Sequence, residues 1–257
     1  MKALITGASS GFGKDMAYKL SQMGYDIIAV ARREDKLIEL KNELKTEVII
    51  KCLDVTTNEG IKEIEKLLDE CDVFINNAGF GVFGKFTDND LQDELKMLDT
   101  NVYALHTLTK IAVKKFKEKN RGHILNVASI AAFFPGPLFA AYYAGKSYVL
   151  RLTQAVCEEL RQEKSNVKIS VLCPGPSDTE FGSVAKVKFG KGNEKGRSLV
   201  ILPSKKIADY AIRKMFKAKL IIIPGFLYKV AVFLRRFLSE KMLCKLLYKL
   251  QNSKFNY

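Results

Sequence analysis

The chain has 257 residues and a formal net charge of +14, with 47% hydrophobic residues and a mean hydropathy of −0.03. That apolar content suffices to bury a core and excludes a disordered chain. The charge is uneven, because residues 1–185 net −1 while residues 186–257 net +15. This argues against a chain built throughout for nucleic acid and confines any question of anionic partners to the C-terminal part.

Short apolar runs at 2–6, 26–30, 48–52, 73–76, 124–128, 167–173 and 220–223 read as strands. Amphipathic patterns at 13–23, 35–45, 59–70, 91–118, 142–163 and 204–217 read as the helices between them, the last with Ser204 as N-cap after Pro203. Strands apolar almost throughout and separated by helices indicate a parallel sheet covered on both faces. The expected architecture is α/β, one domain over residues 1–257. The segment 186–198 (KVKFGKGNEKGRS) is rich in Gly and Lys and reads as a loop. From Gly225 onward Phe226, Leu227, Val230, Ala231, Leu234, Phe237 and Leu238 form an apolar stripe, with Lys229, Arg235 and Arg236 mostly off it. Lys241, Lys245 and Lys249 then recur every fourth residue opposite Leu243, Leu246, Leu247 and Leu250, giving a basic amphipathic helical extension over 226–257.

Five cysteines (Cys52, Cys71, Cys157, Cys173 and Cys244) form no CxxC pair, and only His106 and His123 accompany them. They are expected to stay reduced in a cytoplasmic compartment, with no zinc or other metal site. No signal peptide is expected from MKALITGASS, and no clean run of about 20 apolar residues is present.

Chemistry concentrates at the ends of the strands. After the first comes Thr6-Gly7-Ala8-Ser9-Ser10-Gly11-Phe12-Gly13. Its glycines allow a sharp turn and close backbone approach, and a following helix N-terminus suits a pyrophosphate. Alone, such a loop also serves as a ligand-free strand–helix turn. The spacing is GxxxGxG rather than GxGxxG, and it resembles the classical short-chain dehydrogenase/reductase family in its NADP(H)-preferring, bacterial-type branch. The resemblance implies a Rossmann-like, doubly wound seven-stranded sheet. It also implies a dinucleotide laid over Gly7, Ser9, Ser10, Gly11, Phe12 and Gly13.

Further motifs fall in family order. The second strand ends Val30-Ala31-Arg32-Arg33, with no acid for a ribose 2′-hydroxyl, and a guanidinium pairs well with a phosphate dianion. Arg32 and Arg33 therefore point to NADP(H), although helix-start arginines are also ordinarily solvated. Asp54-Val55 resembles the adenine-contacting pair, and Asn76-Asn77-Ala78-Gly79 the signature that steadies the sheet beside the ribose. Ser129 precedes Tyr142 by thirteen residues, and Tyr142 and Lys146 share one helix face at i,i+4. An ammonium beside a phenol draws its pKa toward the working range, which suits an acid or base. Tyr143, not four residues before a lysine, reads as an ordinary helix face. By resemblance, Ser129 bonds the substrate carbonyl, Tyr142 transfers the proton, and Lys146 holds the nicotinamide ribose. Asn101 supports a proton-relaying water. Pro174-Gly175 and Thr179 meet the carboxamide.

The implied activity is reduction of a carbonyl to an alcohol, or the reverse, on a small-molecule substrate by a homodimer or homotetramer. Residues 1–179 would form the cofactor and catalytic core, and 180–203, with Phe181, Val184 and Phe189, the substrate segment. A 3-ketoacyl-thioester reductase is the rival enzyme, and an NADP-binding regulatory protein without turnover the rival of another class. No nucleic-acid partner is expected, since the basic tail lacks a reading motif. Three roles stay open for 226–257: peripheral contact with an anionic membrane surface, a pocket or subunit contact, or a helix packed on the sheet with solvated lysines.

Overall fold

The pleat sends alternate residues of each central strand to opposite faces, and both sets are apolar because both faces are covered. The computed structural model describes residues 1–185 and 201–252. Its strands are β1 (Lys2–Thr6), β2 (Asp26–Ala31), β3 (Val48–Cys52), β4 (Val73–Asn76), β5 (His123–Val127), β6 (Lys168–Leu172) and β7 (Ile221–Ile222). They form one parallel sheet in the order β3-β2-β1-β4-β5-β6-β7. This is a doubly wound, Rossmann-like sheet whose order reverses between β1 and β4, so a crevice opens at the carboxyl ends there.

The helices are α1 (Gly11–Gln22), α2 (Glu34–Glu43), α3 (Asn58–Leu67), α4 (Leu91–Leu98), α5 (Leu105–Glu118), α6 (Ala140–Gln162), α7 (Phe181–Val184), α8 (Ser204–Met215), α9 (Phe226–Leu234) and α10 (Glu240–Asn252). On one face Ala3, Ile5, Ile27, Ala29 and Ile75 pack with Met16, Leu20, Leu37, Ile207 and Ile212 from α1, α2 and α8. On the other, Leu4, Ile28, Phe74 and Ile124 pack with Ile64, Leu108, Ala112, Phe116 and Leu160 from α3, α5 and α6. Each fully buried large side chain, such as Phe74 or Phe116, contributes about 1.5–3 kcal/mol.

A buried polar chain crosses between the layers. Asn76 Nδ2 donates to the Leu105 carbonyl (3.0 Å) and to Thr109 Oγ1 (3.2 Å), Thr109 Oγ1 lies 3.0 Å from Asn126 Oδ1, and Asn126 Nδ2 donates to Thr153 Oγ1 (2.9 Å). It ties β4 and β5 to α5 and α6 without leaving these amides unpaired in the core.

Several local expectations need correction. The pattern at 91–118 is helical throughout, but a widened π-turn over Asp99–Ala104 marks off α4 from α5. The last turn of the 59–70 segment tightens to a 3₁₀ turn at Leu68–Glu70. Ser204 is not the N-cap of α8 but its first residue; the Asp178 carboxylate accepts from the Ser204 N–H at 2.6 Å and caps the helix from a distance in sequence. The C-terminal extension is two helices, α9 and α10, joined through a 3₁₀ turn at Arg235–Phe237. The Lys-rich loop at 186–198, Phe189 included, lies outside the described residues.

Candidate active site

The glycine turn between β1 and α1 is shaped by contacts that leave no room for side chains. A Cβ on Gly13 would stand 2.2 Å from the Gly7 carbonyl oxygen, and Gly7 has φ +67°. Asn77 Nδ2 donates to the Thr6 carbonyl at 2.9 Å, and Thr6 Oγ1 accepts from the Asn77 and Ala78 N–H groups at 2.9 and 3.1 Å. The loop after β4 thus holds the glycine turn in place. Ser10, at the N-cap of α1, makes no side-chain hydrogen bond to the helix, so the first turn carries no side-chain cap.

The two arginines after β2 diverge. Arg33 donates to Ser9 Oγ (3.2 and 3.3 Å) and to Glu180 Oε2 (2.9 Å). Arg32 reaches toward Asp54 at 3.8 Å. Arg33 holds the Glu180 carboxyl below its ordinary range, and Ser10 helps by hydrogen bonding to it. Arg33 and Ser10 therefore already gather one anion at this corner. Asp54 Oδ1 accepts from the Thr56 N–H (2.9 Å) and hydroxyl (2.7 Å), a local turn that fixes the end of β3 beside Val55.

Deeper in the crevice Ser129, Tyr142 and Lys146 come together. Ser129 begins the turn after β5, and its Oγ accepts from the Ala131 N–H at 3.1 Å. Lys146 is buried, donates to the Val127 carbonyl at 3.0 Å, and lies 5.7 Å from the Tyr142 ring centre. Burial pulls the Lys146 ammonium down to about 8. Burial pushes the Tyr142 phenol up, opposed by its hydrogen bond with Ser129. This corrects the expectation that the ammonium lowers the phenol. The net shift is upward because desolvation of the buried hydroxyl dominates.

Asn101 sits in the π-turn between α4 and α5, a distortion that recurs at functional positions. Its Nδ2 donates to the Phe80 carbonyl (2.7 Å), and its Oδ1 accepts from the Phe80 N–H (3.1 Å). Each end of the amide thereby holds the chain after β4, close against Gly79 and Lys146.

One cavity of about 770 Å³ joins these groups. Of the catalytic and cofactor residues singled out from sequence, all but Gly13 and Asn101 line it: Gly7, Ser9, Ser10, Gly11, Phe12, Arg32, Arg33, Asp54, Val55, Asn77, Ala78, Gly79, Ser129, Tyr142, Lys146, Pro174, Gly175 and Thr179. Gly13 shapes the turn from behind, and Asn101 acts through the Phe80 backbone. The glycine cradle, the uncapped start of α1 and the anion-gathering corner at Arg33 fit a nicotinamide dinucleotide. Among the described residues no cluster of His, Cys, Asp and Glu could hold a metal ion.

Sequence reading found Phe181 but missed the rest of the aromatic wall. Phe139 stacks on Tyr142 with ring centres 4.4 Å apart, and Phe181 and Phe83 close around them. Tyr143 is no ordinary helix face: it lines the cavity, burial raises its phenol to about 12, and its hydroxyl accepts from Gln251 Nε2 at 2.9 Å. Glu180 was also unforeseen as a partner of Arg33. The signals were a dense Phe-Phe-Pro-Gly-Pro-Leu-Phe run at 133–139 and an acid directly after Thr179. From the C-terminus, Tyr228, Leu234, Leu243, Leu246, Leu247 and Leu250 roof the cavity. The extension is thus part of the cavity lining.

A model of the short chain dehydrogenase family matches residues 1–187. The chain is 33% identical over 196 residues to an uncharacterised oxidoreductase of Staphylococcus epidermidis, covering 72% of this chain and 84% of that one. Among solved structures, a short-chain dehydrogenase from Sphingobium yanoikuyae in complex with NADPH aligns with TM-score 0.79 and 25% identity, over 92% of this chain and 93% of that one. A short chain dehydrogenase/reductase from Burkholderia phymatum in complex with NAD shares the fold, with TM-score 0.82 and 24% identity over 92% of each chain. The glycine turn, the Ser129–Tyr142–Lys146 grouping and these likenesses agree: the chain is an oxidoreductase of the classical short-chain dehydrogenase/reductase family.

Proposed function

We propose that this oxidoreductase is NADP(H)-dependent and converts a carbonyl to an alcohol, or the reverse. The observation that carries the reading is that Ser129, Tyr142 and Lys146 line the same cavity as the glycine turn and Arg33. When bound, the dinucleotide supplies the hydride. The Ser129 hydroxyl donates to the substrate oxygen and orients it. The neutral Tyr142 phenol gives its proton to that oxygen as negative charge develops there. Lys146, drawn down to about 8, holds positive charge next to the phenol and returns the proton from solvent. Asn101 is a positioning residue that holds the Phe80 backbone beside Lys146. Arg33 and Ser9 select the 2′-phosphate, Arg32 and Asp54-Val55 flank the adenine, and Asn77 to Gly79, Pro174-Gly175 and Thr179 line the path of the nicotinamide half.

The aromatic wall and the leucines of α10 favour a substrate with an apolar body over a small hydrophilic one. A regulatory protein without turnover would gain nothing from burying a lysine beside a tyrosine at a cost in stability. We also place the enzyme in the cytoplasm, where free thiols persist. It assembles as a homo-oligomer through the α4–α6 side, where Leu91, Leu95, Tyr103 and Tyr148 are exposed. The test is a panel of carbonyls (short 3-oxo acids, semialdehydes, acyl thioesters, steroids, quinones and aldehydes) assayed by loss of NADPH absorbance. Turnover with at least one apolar ketone or aldehyde is expected. Tight dinucleotide binding with no turnover across the panel would overturn the reading in favour of a regulatory protein.

A further inference from the structure

Helix α9 presents its apolar face outward. Its buried residue is a tyrosine, Tyr228, whose ring packs against Gly175. Just past its end, Arg235 turns inward and donates to the Phe133 carbonyl. The large apolar residues left in solvent are Phe226 (77% exposed), Leu227, Phe233, Leu234 and Phe237 (73%). Their spacing puts them on one side, opposite Tyr228. Phe233 and Phe237 meet edge to face at 5.8 Å, and Arg236 lies over Phe233.

Helix α10 continues the surface. Met242, Leu246 and Leu250 recur every fourth residue and are each about half exposed. The exposed Lys241, Lys245 and Lys249 run beside them, one residue earlier in each turn. Leu234, Leu246 and Leu250 also line the cavity. The exposed apolar face and the rim of the active-site pocket are therefore one continuous surface. Soluble monomers rarely leave such a face uncovered.

Charge decides what covers it. Residues 226–252 carry six basic side chains against one acid, Glu240. A two-fold contact would set this patch against itself and bring the two basic sets together. An anionic lipid surface matches both features, with headgroups for the lysines and the acyl boundary for the phenylalanines and leucines. No helix among the described residues is long and apolar enough to cross a membrane, so the contact is peripheral.

We infer that α9 and α10 dock on an anionic bilayer with the pocket mouth against the lipid. On the reductase reading above, the substrate is then a lipid-borne carbonyl or alcohol that enters from the membrane.

The test uses the full chain and co-sedimentation with vesicles of phosphatidylcholine, with and without phosphatidylglycerol, at low and high salt. Two variants accompany the wild type: Phe233→Ser with Phe237→Ser, and Lys241→Glu with Lys245→Glu and Lys249→Glu. NADPH affinity and thermal unfolding serve as fold controls. Wild type is expected to pellet with phosphatidylglycerol vesicles at low salt and at least tenfold less with phosphatidylcholine alone. Each basic residue is worth about fivefold in partition, so the lysine variant should lose at least tenfold. The phenylalanine variant should lose at least tenfold while keeping NADPH affinity. Wild type remaining in the supernatant overturns the inference. So does pelleting unaffected by the phenylalanine pair, which would mean adsorption by charge alone, or a solution dimer that this pair dissociates, which would mean that a second copy covers the face. Should either variant fail its fold controls, the wild-type lipid and salt dependence decides alone. Vesicle binding is read without turnover, so its failure is separate from failure of the reductase reading.

Discussion

Replacing Arg33 by alanine should separate the two dinucleotides. Arg33 lies against Ser9 beside the glycine turn, whereas Arg32 leans toward Asp54 and its side chain is 72% exposed. A charge-assisted hydrogen bond to a phosphate contributes about 1.5–3 kcal/mol. The Arg33 side chain is 44% exposed, and solvent screening reduces this to about 1–2 kcal/mol. NADPH affinity should therefore fall roughly 5–30-fold. NADH has no 2′-phosphate, and its affinity should move less than about twofold. Arg32→Ala should cost NADPH less than Arg33→Ala does. Glu180→Gln removes a carboxylate that competes for Arg33, and an exposed pair of this kind is worth about 0.2–1 kcal/mol, so NADPH should bind up to about fivefold tighter. Fluorescence titration of both dinucleotides against the three variants reads all of this. Equal losses for NADPH and NADH on Arg33→Ala, or no loss at all, would refute phosphate selection by Arg33.

Two further outcomes concern stability. Burial lowers Lys146 from an ordinary 10.5 to about 8, so between those values the unfolded chain binds more protons than the folded one. Stability must then rise with pH through that window; the penalty for a buried ammonium is full below about 8 and gone above 10.5. Wild type should gain about 3 kcal/mol relative to Lys146→Met across it, read by urea unfolding at several pH values, and parallel curves would contradict the burial argument. Thr109→Val keeps the shape but leaves the Asn76 and Asn126 amides short of a partner. It should lower unfolding stability by about 1–3 kcal/mol with dinucleotide affinity unchanged, and a loss under about 0.5 kcal/mol would show that the chain of amides is not a strut.

Local pattern carries much of this fold. Strands buried on both faces read as unbroken apolar runs, so β1, β3 and β4 match their expected bounds, and only the ends of β2, β5, β6 and β7 shift. The glycine turn, Asn77 and the Tyr142–Lys146 spacing were legible because each is a short, ordered signal. What escaped depends on groups far apart in sequence. Asp178 caps α8 across 26 residues, and Glu180 reaches Arg33 across 147. Tyr143 reads as surface until Gln251 is folded over it, 108 residues away. The apolar stripe of α9 was visible, but nothing local showed that Tyr228 and Arg235, rather than the stripe, would turn inward. Helix spacing likewise reports the ammonium of Lys146 but not the depth of burial that raises Tyr142.

Tyr142→Phe probes the proton-transfer assignment most directly, because it deletes one hydroxyl and leaves the ring stacked on Phe139. Steady-state NADPH oxidation with whichever carbonyl the panel identifies should fall by about 10²–10⁴-fold, the usual worth of a positioned general acid. NADPH affinity, titrated on the same preparation, should stay within about twofold. A variant that keeps more than a few per cent of wild-type turnover, or that loses NADPH affinity in step with turnover, would contradict Tyr142 as the proton donor.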